Sequence, residues 1–352
     1  MPDMKSVLFC SVGRRSALLK SFKESVNGVR ILAADCNPYA PALYFADQQF
    51  IVPRVHTAGY ADYILELCKR ENVMAVTPLI DPEISVLAEA WDTFKQHGIL
   101  PLFPKSGTAK LCFDKFEMYK YLIKNNIDTI MTYETLESFI IAWQNGNISF
   151  PVFIKPRCGS GSVGACRVNN LLELQEVITH SEVPYIIQEL ILGDDLGVDV
   201  YVDCISNKPV SMFLKKKIET RIGGAIKTIS FKDEKAFSFV KQVLEKFEFY
   251  GPIDIDLFYV NGRYYLSEIN PRFGGGYLHA YGAGVDFFKM IVNNIDGKEN
   301  ADSIGQYDEK IVMMMYEEVV IKRVSELAAE QDKSMMCEIS LDMNTAEPLK
   351  LV

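Results

Sequence analysis

The sequence lacks the residue patterns of several common protein classes. Its eight cysteines include no Cys-x-x-Cys pair, and with only four histidines no zinc-ligand spacing occurs. No apolar run is long enough to span a membrane, and the first residues lead into an apolar strand without forming a signal peptide. We therefore expect a cytoplasmic protein with reduced cysteines and no membrane partner.

Positive charge is also in deficit. The 37 Lys and Arg residues are outnumbered by 46 Asp and Glu residues, which gives a formal net charge of −9. This balance argues against nucleic acid as a partner, although it allows a local basic pocket. Because 49% of the 352 residues are apolar, the chain is expected to fold into two or three domains.

Two familiar nucleotide-binding motifs are missing. The Walker A pattern Gly-x-x-x-x-Gly-Lys-Ser/Thr does not occur. Gly13 follows the first predicted strand and Asp35 ends the second, as in dinucleotide-binding domains, but the segment 12–16 lacks Gly-x-Gly-x-x-Gly. Binding of NAD is therefore disfavoured.

Strands alternate with helices over the first 105 residues or so, which predicts an α/β domain with an open parallel sheet. A helix is predicted from Thr108 to about Asn126, with Asp114 and Lys115 inside it. Later segments read mainly as strands. Residues 301–352 look like a small appendage with a strand at 310–316 and no evident chemistry.

A glycine-rich loop is the first candidate for binding chemistry. A strand ends at Lys155-Pro156, and the loop that follows contains three glycines and two serines within residues 159–164. Backbone N–H groups and hydroxyls in such a loop suit phosphate oxygens, which Lys155 could also reach. An ordinary flexible hairpin loop is the alternative, and the Lys-Pro pair makes it less favoured.

A second candidate lies on a strand that ends near residue 270. Glu268 and Asn270 are two residues apart in an extended apolar run, so they project from one face of the strand. A carboxylate and an amide oxygen suit a hard cation such as Mg²⁺. Arg272, just beyond the strand, adds a positive fork for an anionic oxygen.

The preceding strand carries two more acids, Asp254 and Asp256, and Asn261-Gly262 predicts a hairpin between the strands. A two-residue loop would put Glu268 on the face opposite Asp256. We expect instead a three-residue loop, with Gly262 left-handed, that pairs Asp256 with Leu266 and Asp254 with Glu268. All the acids then share one face, where a cation would offset their repulsion. A solvated acidic face is the alternative.

Arg221, close to Gly223 and Gly224, is a candidate anion clamp, since glycine permits close approach of a ligand. The basic run Lys215–Lys217 before it is read as solvated surface.

These motifs, in this order, resemble the ATP-grasp superfamily, most closely its carbamoyl-phosphate-synthase-like and carboxylate–amine ligase branch. The resemblance covers roughly residues 5–300 and is carried by the Lys155-Pro strand with its loop, Gln188-Glu189-Leu-Ile-x-Gly-Asp-Asp195, Asp256 and Glu268-Ile-Asn270-Pro-Arg272. It implies an α/β and α+β fold, in which an open parallel-sheet pre-ATP-grasp domain (1–107) precedes a two-subdomain ATP-grasp fold. The smaller subdomain would span 108–184, the larger 185–300, and the appendage 301–352.

The resemblance also implies a role for each matching residue. The residues expected to bind ATP are Lys115, Lys155, Ser160, Gly161, Ser162, Gly164, Glu189, Leu190, Ile191 and Asp195. The family usually has glutamate where this chain has Asp195. Asp256, Glu268 and Asn270 would bind Mg²⁺, with Mn²⁺ as an alternative, and Arg221 and Arg272 would stabilise the transferring phosphoryl group.

The function implied is an ATP- and Mg²⁺-dependent, ADP-forming ligase that activates a small-molecule carboxylate as an acyl phosphate and joins it to an amine. One alternative is phosphoryl transfer to a carboxylate-like substrate, as in carbamoyl-phosphate synthesis. Another is a non-catalytic nucleotide-binding module. A homodimer is the family-level expectation.

Overall fold

The computed structural model describes residues 5–159, 161, 163–221 and 224–328. These residues form one parallel sheet followed by two antiparallel sheets. Within the described part of the chain, no helix is both long and apolar enough to cross a membrane.

The N-terminal elements build the parallel sheet. They are β1 (Lys5–Cys10), α1 (Ser16–Ser25), β2 (Val29–Asp35), β3 (Gln48–Ile51), α2 (Tyr60–Arg70), β4 (Ala75–Pro78), α3 (Asp81–Leu87), α4 (Trp91–Gln96) and β5 (Leu100–Pro101). The strand order is β3-β2-β1-β4-β5. β1 and β2 are buried over nearly their whole length, as expected for strands covered on both faces. Because all the strands are parallel, their carboxyl ends meet at one edge of the sheet.

The parallel sheet confirms the predicted N-terminal fold. β3 is an addition, because its short, glutamine-containing sequence gave no strand signal.

The smaller antiparallel sheet and its helices follow. They are α5 (Ser106–Phe113), α6 (Lys115–Lys124), β6 (Thr132–Tyr133), α7 (Leu136–Gln144), β7 (Val152–Pro156), β8 (Cys166–Val168), α8 (Leu171–Thr179) and β9 (Tyr185–Glu189). The strand order is β6-β9-β7-β8. This unit has its own hydrophobic core, in which Phe139, Ile154 and Leu174 are fully buried. A separate core allows the unit to move as one body.

The single helix predicted over 108–126 is wrong. The structure has two helices that meet at Asp114, whose carboxylate accepts hydrogen bonds from the backbone N–H groups of Phe116 and Glu117. An aspartate in this position caps the second helix, and helical periodicity alone does not reveal such a break.

The larger antiparallel sheet completes the molecule. Its elements are β10 (Asp194–Val202), β11 (Pro209–Arg221), β12 (Gly224–Ser230), α9 (Glu234–Leu244), β13 (Gly251–Val260), β14 (Arg263–Asn270), α10 (Tyr277–Gly282), α11 (Phe287–Ile295) and β15 (Val312–Met314). The strand order is β14-β13-β10-β11-β12-β15. This unit shares one continuous hydrophobic core with the N-terminal sheet. The rings of Phe22 in α1 and Phe288 in α11, for example, lie 5.0 Å apart.

Two strands lie close to the predicted domain boundaries, and the boundaries themselves stay predictions. β9, at the start of the predicted larger subdomain, pairs with β7 of the smaller sheet. β15, within the predicted appendage, pairs with β12 at the edge of the larger sheet.

Candidate active site

A cleft of about 660 Å³ separates the two antiparallel sheets. β7 and β9 contribute to one wall, and β10, β11, β13 and β14 contribute to the other. The cleft brings together most of the side chains that the sequence predicts to bind ATP and metal. The predicted residues that line it are Lys115, Lys155, Gly161, Glu189, Leu190, Ile191, Asp195, Arg221, Asp256, Glu268, Asn270 and Arg272.

The other predicted loop residues are not in this group. Ser160 and Ser162 lie outside the described residues. Gly164 sits at the far end of the loop, where its carbonyl accepts a hydrogen bond from the Tyr185 hydroxyl at 3.0 Å, and it does not line the cleft. The phosphate-binding roles of these residues stay predictions.

The predicted metal ligands do share one face, but the turn expected to achieve this is wrong. β13 and β14 are joined by the two-residue turn Asn261-Gly262, with Val260 paired to Arg263. Both turn residues have positive φ, 49° and 84°, as a type I′ turn requires. The expected three-residue loop therefore does not form.

A β-bulge in β14 brings the acidic side chains onto one face, which the three-residue loop was expected to do. The register shifts next to Asp256, so that Ser267 has no partner on β13. Asp256 then lies opposite Glu268, and Asp254 opposite Asn270, instead of the predicted pairings. Since residues directly opposite in a sheet project from the same face, the carboxylates and the amide converge in the cleft. Sequence alone did not reveal the bulge, because Ser267 fits an ordinary strand position.

Asp256, Glu268 and Asn270 together offer two carboxylates and an amide, an all-oxygen set of the kind that suits Mg²⁺. Across the described residues, no group of three or more His, Cys, Asp or Glu side chains is arranged to hold a metal ion. Metal binding here would therefore use the amide of Asn270, and the phosphate oxygens of a nucleotide, as further ligands.

Two lysines of the smaller unit face Glu268 from across the cleft. The Nζ atoms of Lys115 and Lys155 lie 3.9 and 3.8 Å from its two carboxylate oxygens. Burial lowers the pKa of Lys155, while the charge of Glu268 opposes that shift. Ion pairs between these lysines and Glu268 therefore connect the two walls of the cleft.

Lys115 owes its position to the break between α5 and α6. Asp114, the cap of α6, also accepts hydrogen bonds from Arg157 at the start of the glycine-rich loop. Lys115 Nζ in turn donates to the Gly159 carbonyl at 2.7 Å. These hydrogen bonds connect the base of the loop to the first turn of α6, so the positions of the two segments depend on each other.

The run Lys215–Lys217 is not the solvated surface that the sequence suggested. Lys217 Nζ lies 2.8 Å from Asp195 and 2.7 Å from Asp256, and Lys215 is buried against Asp199. Burial alone would lower the pKa of Lys217, but the charges of Asp256 and Asp195 raise it overall. Only Lys216 points away from the cleft, as alternation along a strand requires. That alternation is the signal that could have identified the two lysines.

The two predicted arginines differ in environment. Arg272 is largely buried, and its guanidinium lies 2.9 Å from Asp81 of the N-terminal domain and 3.8 Å from Asp254. Burial opposes its charge, but these two carboxylates raise its pKa overall. Arg221 lies at the rim of the cleft, where its side chain is 74% exposed and 3.8 Å from Glu219. Gly223, which was predicted to form a clamp with it, lies outside the described residues.

Apolar side chains line another part of the cleft, next to the segment Glu189–Ile191. Ile130, Phe153 and Phe258 contribute to this surface. A flat heterocycle could lie between such side chains, while backbone groups of the segment bind its polar edge. The combination of an apolar slot, facing lysines and oxygen ligands is what a magnesium nucleotide requires.

Comparison with known families agrees with this geometry. Residues 7–102 match the family model described as PylC-like, N-terminal domain, and residues 112–276 match the model described as ATP-grasp domain. The chain therefore contains an ATP-grasp domain, preceded by a PylC-like N-terminal domain. No curated protein sequence matches it.

Solved structures show the same fold. N5-carboxyaminoimidazole synthetase from Staphylococcus aureus, complexed with ADP, is 16% identical with a TM-score of 0.69 over 85% of this chain and 79% of its own. The biotin carboxylase domain of Hydrogenobacter thermophilus 2-oxoglutarate carboxylase, a dimer in complex with MgADP, ADP and bicarbonate, is 17% identical with a TM-score of 0.70 over 88% and 73%. N5-carboxyaminoimidazole ribonucleotide synthetase from Thermotoga maritima is 18% identical with a TM-score of 0.64 over 85% and 78%.

The sequence-based predictions of the ATP-grasp superfamily and of its fold are confirmed. The prediction of an ATP- and Mg²⁺-dependent ligase agrees with the ATP-grasp domain matched over residues 112–276. The individual roles given to the residues of this ATP-grasp protein stay predictions.

Proposed function

We propose that this ATP-grasp protein joins a small-molecule carboxylate to an amine and releases ADP and phosphate. One observation carries the proposal: Lys115 and Lys155 of the smaller unit face the carboxylate of Glu268 at 3.9 and 3.8 Å across the cleft. A site that combines lysines with oxygen ligands suits the triphosphate of a nucleotide and its metal.

The ATP would lie along the cleft. Its adenine would occupy the apolar slot beside Glu189–Ile191, and its ribose would lie near Asp195. Lys115 and Lys155 would bind phosphate oxygens, with the glycine-rich loop over them. Mg²⁺ held by Asp256, Glu268 and Asn270 would neutralise charge on the β- and γ-phosphates.

The reaction would proceed in two steps. An oxygen of the substrate carboxylate attacks the γ-phosphorus and ADP leaves, while Arg272 offsets charge on the transferring group. The amine nitrogen then attacks the acyl carbon and phosphate leaves, so that a C–N bond replaces the C–O bond. No side-chain nucleophile is needed. Closure of the smaller unit over the cleft would keep water away from the acyl phosphate.

Two finer points belong to the same proposal. A homodimer is expected, and the Hydrogenobacter structure is that of a dimer. A cytoplasmic location agrees with the cysteines of the described residues, which are free thiols.

The test is a screen of carboxylate and amine pairs for ADP release with MgATP, with bicarbonate among the acids because it is bound in the Hydrogenobacter structure. A productive pair should release ADP only when both partners are present and should yield an amide, or a carbamate when the acid is bicarbonate, by mass spectrometry. ADP release that needs the acid alone and gives no amide would favour phosphoryl transfer instead. Absence of MgATP binding by calorimetry would overturn the proposal.

A further inference from the structure

Arg15 enters the cleft from the N-terminal domain, although no motif in the sequence predicts a role for it. It precedes α1, and its backbone is fixed there because its carbonyl accepts hydrogen bonds from Leu18 and Leu19. Its partly buried side chain crosses to the loop after β14, where Nη1 donates to the carbonyls of Phe273 and Gly274 at 3.2 and 2.9 Å.

Most of the hydrogen-bonding capacity of Arg15 is left over. A guanidinium has five N–H donors, and the two bonds to carbonyls are made through Nη1. The Nε and Nη2 edge has no partner among the described residues, and no carboxylate there pairs with Arg15. This edge has the fork geometry that binds two oxygens of a carboxylate or phosphate.

The neighbour of Arg15 is a second guanidinium. Arg272 Nη1 donates to the same Phe273 carbonyl, at 3.1 Å, so the two cationic groups lie side by side. Asp81 and Asp254 form ion pairs with Arg272 and none with Arg15, although their charges also act on Arg15 and partly oppose the lowering of its pKa. Burial, together with the charge of Arg272, lowers the pKa of Arg15 to about 10, which still leaves it cationic at neutral pH. The unpaired Nε–Nη2 edge of Arg15, which lies beside a second cation, is therefore suited to an anion.

Arg15 also lines the same cleft as the predicted metal ligands, together with Arg272, Gly275 and Gly276. We propose that the Nε–Nη2 edge of Arg15 binds an oxyanion of the acid substrate, a carboxylate or a phosphate, where the N-terminal domain meets the ATP-grasp unit. This inference rests on the proposed function and deepens it. The N-terminal domain then takes part in recognising the acid.

The first experiment needs no knowledge of the substrate. Inorganic phosphate is titrated by calorimetry into the full chain saturated with MgADP, using the wild type, Arg15→Gln and Arg14→Gln. Arg14 is the matched control, since it is adjacent and its largely exposed side chain pairs only loosely, at 3.6 Å, with Glu317. We expect Arg15→Gln to raise the dissociation constant of phosphate at least tenfold, and Arg14→Gln to leave it unchanged.

Equal phosphate affinity in the wild type and Arg15→Gln would overturn the inference, as would a wild type that binds no phosphate. Should Arg15→Gln not fold, Arg15→Lys keeps the charge but loses the fork, and it should still weaken phosphate binding severalfold. The MgADP titration is read separately. If the protein binds MgADP but not phosphate, only the inference about Arg15 is refuted. If it does not bind MgADP, the proposed function itself is refuted.

A second experiment uses the acid found in the substrate screen. Arg15→Gln should raise KM for the acid at least tenfold and leave KM for ATP unchanged; an unchanged KM for the acid would refute the inference. To identify the bound group, a non-reacting anionic group of the acid is replaced by an amide. If Arg15 binds that group, Arg15→Gln and the amide substitution together should raise KM no more than either change alone. If Arg15 binds the reacting carboxylate instead, their effects on KM should add.

Discussion

Replacement of Glu268 by glutamine should strengthen the binding of metal-free ADP and lower the turnover rate. The change keeps the shape of the side chain but removes the charge that Lys115 and Lys155 face at 3.9 and 3.8 Å. All three side chains are mostly buried, with 10%, 11% and 22% exposure for Lys115, Lys155 and Glu268. The interaction is therefore only partly screened by solvent.

The magnitude follows from these distances. At an effective dielectric constant of about 20, each pair contributes about 4 kcal/mol of Coulomb attraction. Desolvation of the charges cancels most of it, which leaves about 1 kcal/mol for each lysine. In Glu268→Gln both lysines are free to bind phosphate oxygens, a gain of about 2 kcal/mol in total, so ADP without metal should bind roughly 30-fold more tightly.

Turnover should fall in the same variant, because the proposed metal site loses one of its two carboxylates. We expect kcat to drop by about 100-fold, the scale of one lost electrostatic contact to the transition state. The Mg²⁺ concentration for half-maximal activity should rise at least tenfold, in line with the loss of a charged ligand.

The assays are ADP titration by calorimetry in the presence of a chelator, and steady-state ADP release against Mg²⁺ concentration. Glu66→Gln, which removes an exposed carboxylate on α2, is the matched control and should behave like the wild type. A variant with wild-type dependence on Mg²⁺ would refute the metal assignment. Weaker binding of metal-free ADP would instead show that Glu268 shapes the site rather than balancing the lysines.

Three further changes test other parts of the site. Lys155→Ala should weaken MgATP binding at least tenfold in a calorimetric titration, because a buried cation facing the phosphates is lost. Gly274→Ala should lower stability by about 1–3 kcal/mol in denaturant unfolding and reduce turnover, because a Cβ there would lie 2.7 Å from a carboxylate oxygen of Asp254. Asp114→Ala should cost about 1–2 kcal/mol of stability and also weaken MgATP binding, because it loosens the first turn of α6 that carries Lys115.

Each of these has its own control. Lys124→Ala, at the exposed end of α6, should leave nucleotide affinity unchanged, and equal affinity in Lys155→Ala would contradict the phosphate role. Gly282→Ala meets no atom within 4 Å and should be neutral, so equal stability of the two alanine variants would disprove the steric argument. For Asp114→Ala, a loss of stability with unchanged nucleotide affinity would separate the helix cap from the position of Lys115.

Local patterns were sufficient for much of the fold. Fully apolar runs separated by helical segments predicted the parallel sheet, because strands covered on both faces need no polar side. The same reasoning missed β3, which contains Gln48 and Gln49, and the break at Asp114, where one capping side chain divides a continuous helical pattern. Elements whose stability depends on a few specific hydrogen bonds leave little periodic signal.

The candidate site divides in the same way. The convergence of Asp256 and Glu268 was expected from charge, because clustered acids call for a cation. The β-bulge that produces this convergence was not expected. Asn261-Gly262 forms a two-residue turn, and Ser267 is the extra residue in the bulge. A bulge is set by how both strands fit the rest of the sheet, which local sequence does not specify.

The sequence by itself indicated the family, the oxygen-bearing side chains proposed as metal ligands and the lysine before the glycine-rich loop, because these depend on residue type and short spacing. Tertiary structure alone decided which cations face those ligands. Lys217 reaches Asp256 through strand alternation in β11, and Arg15 meets Arg272 across 257 residues of chain. Such contacts arise when separately folded elements pack together: strand alternation shows which lysines share a face, but not which acids they meet.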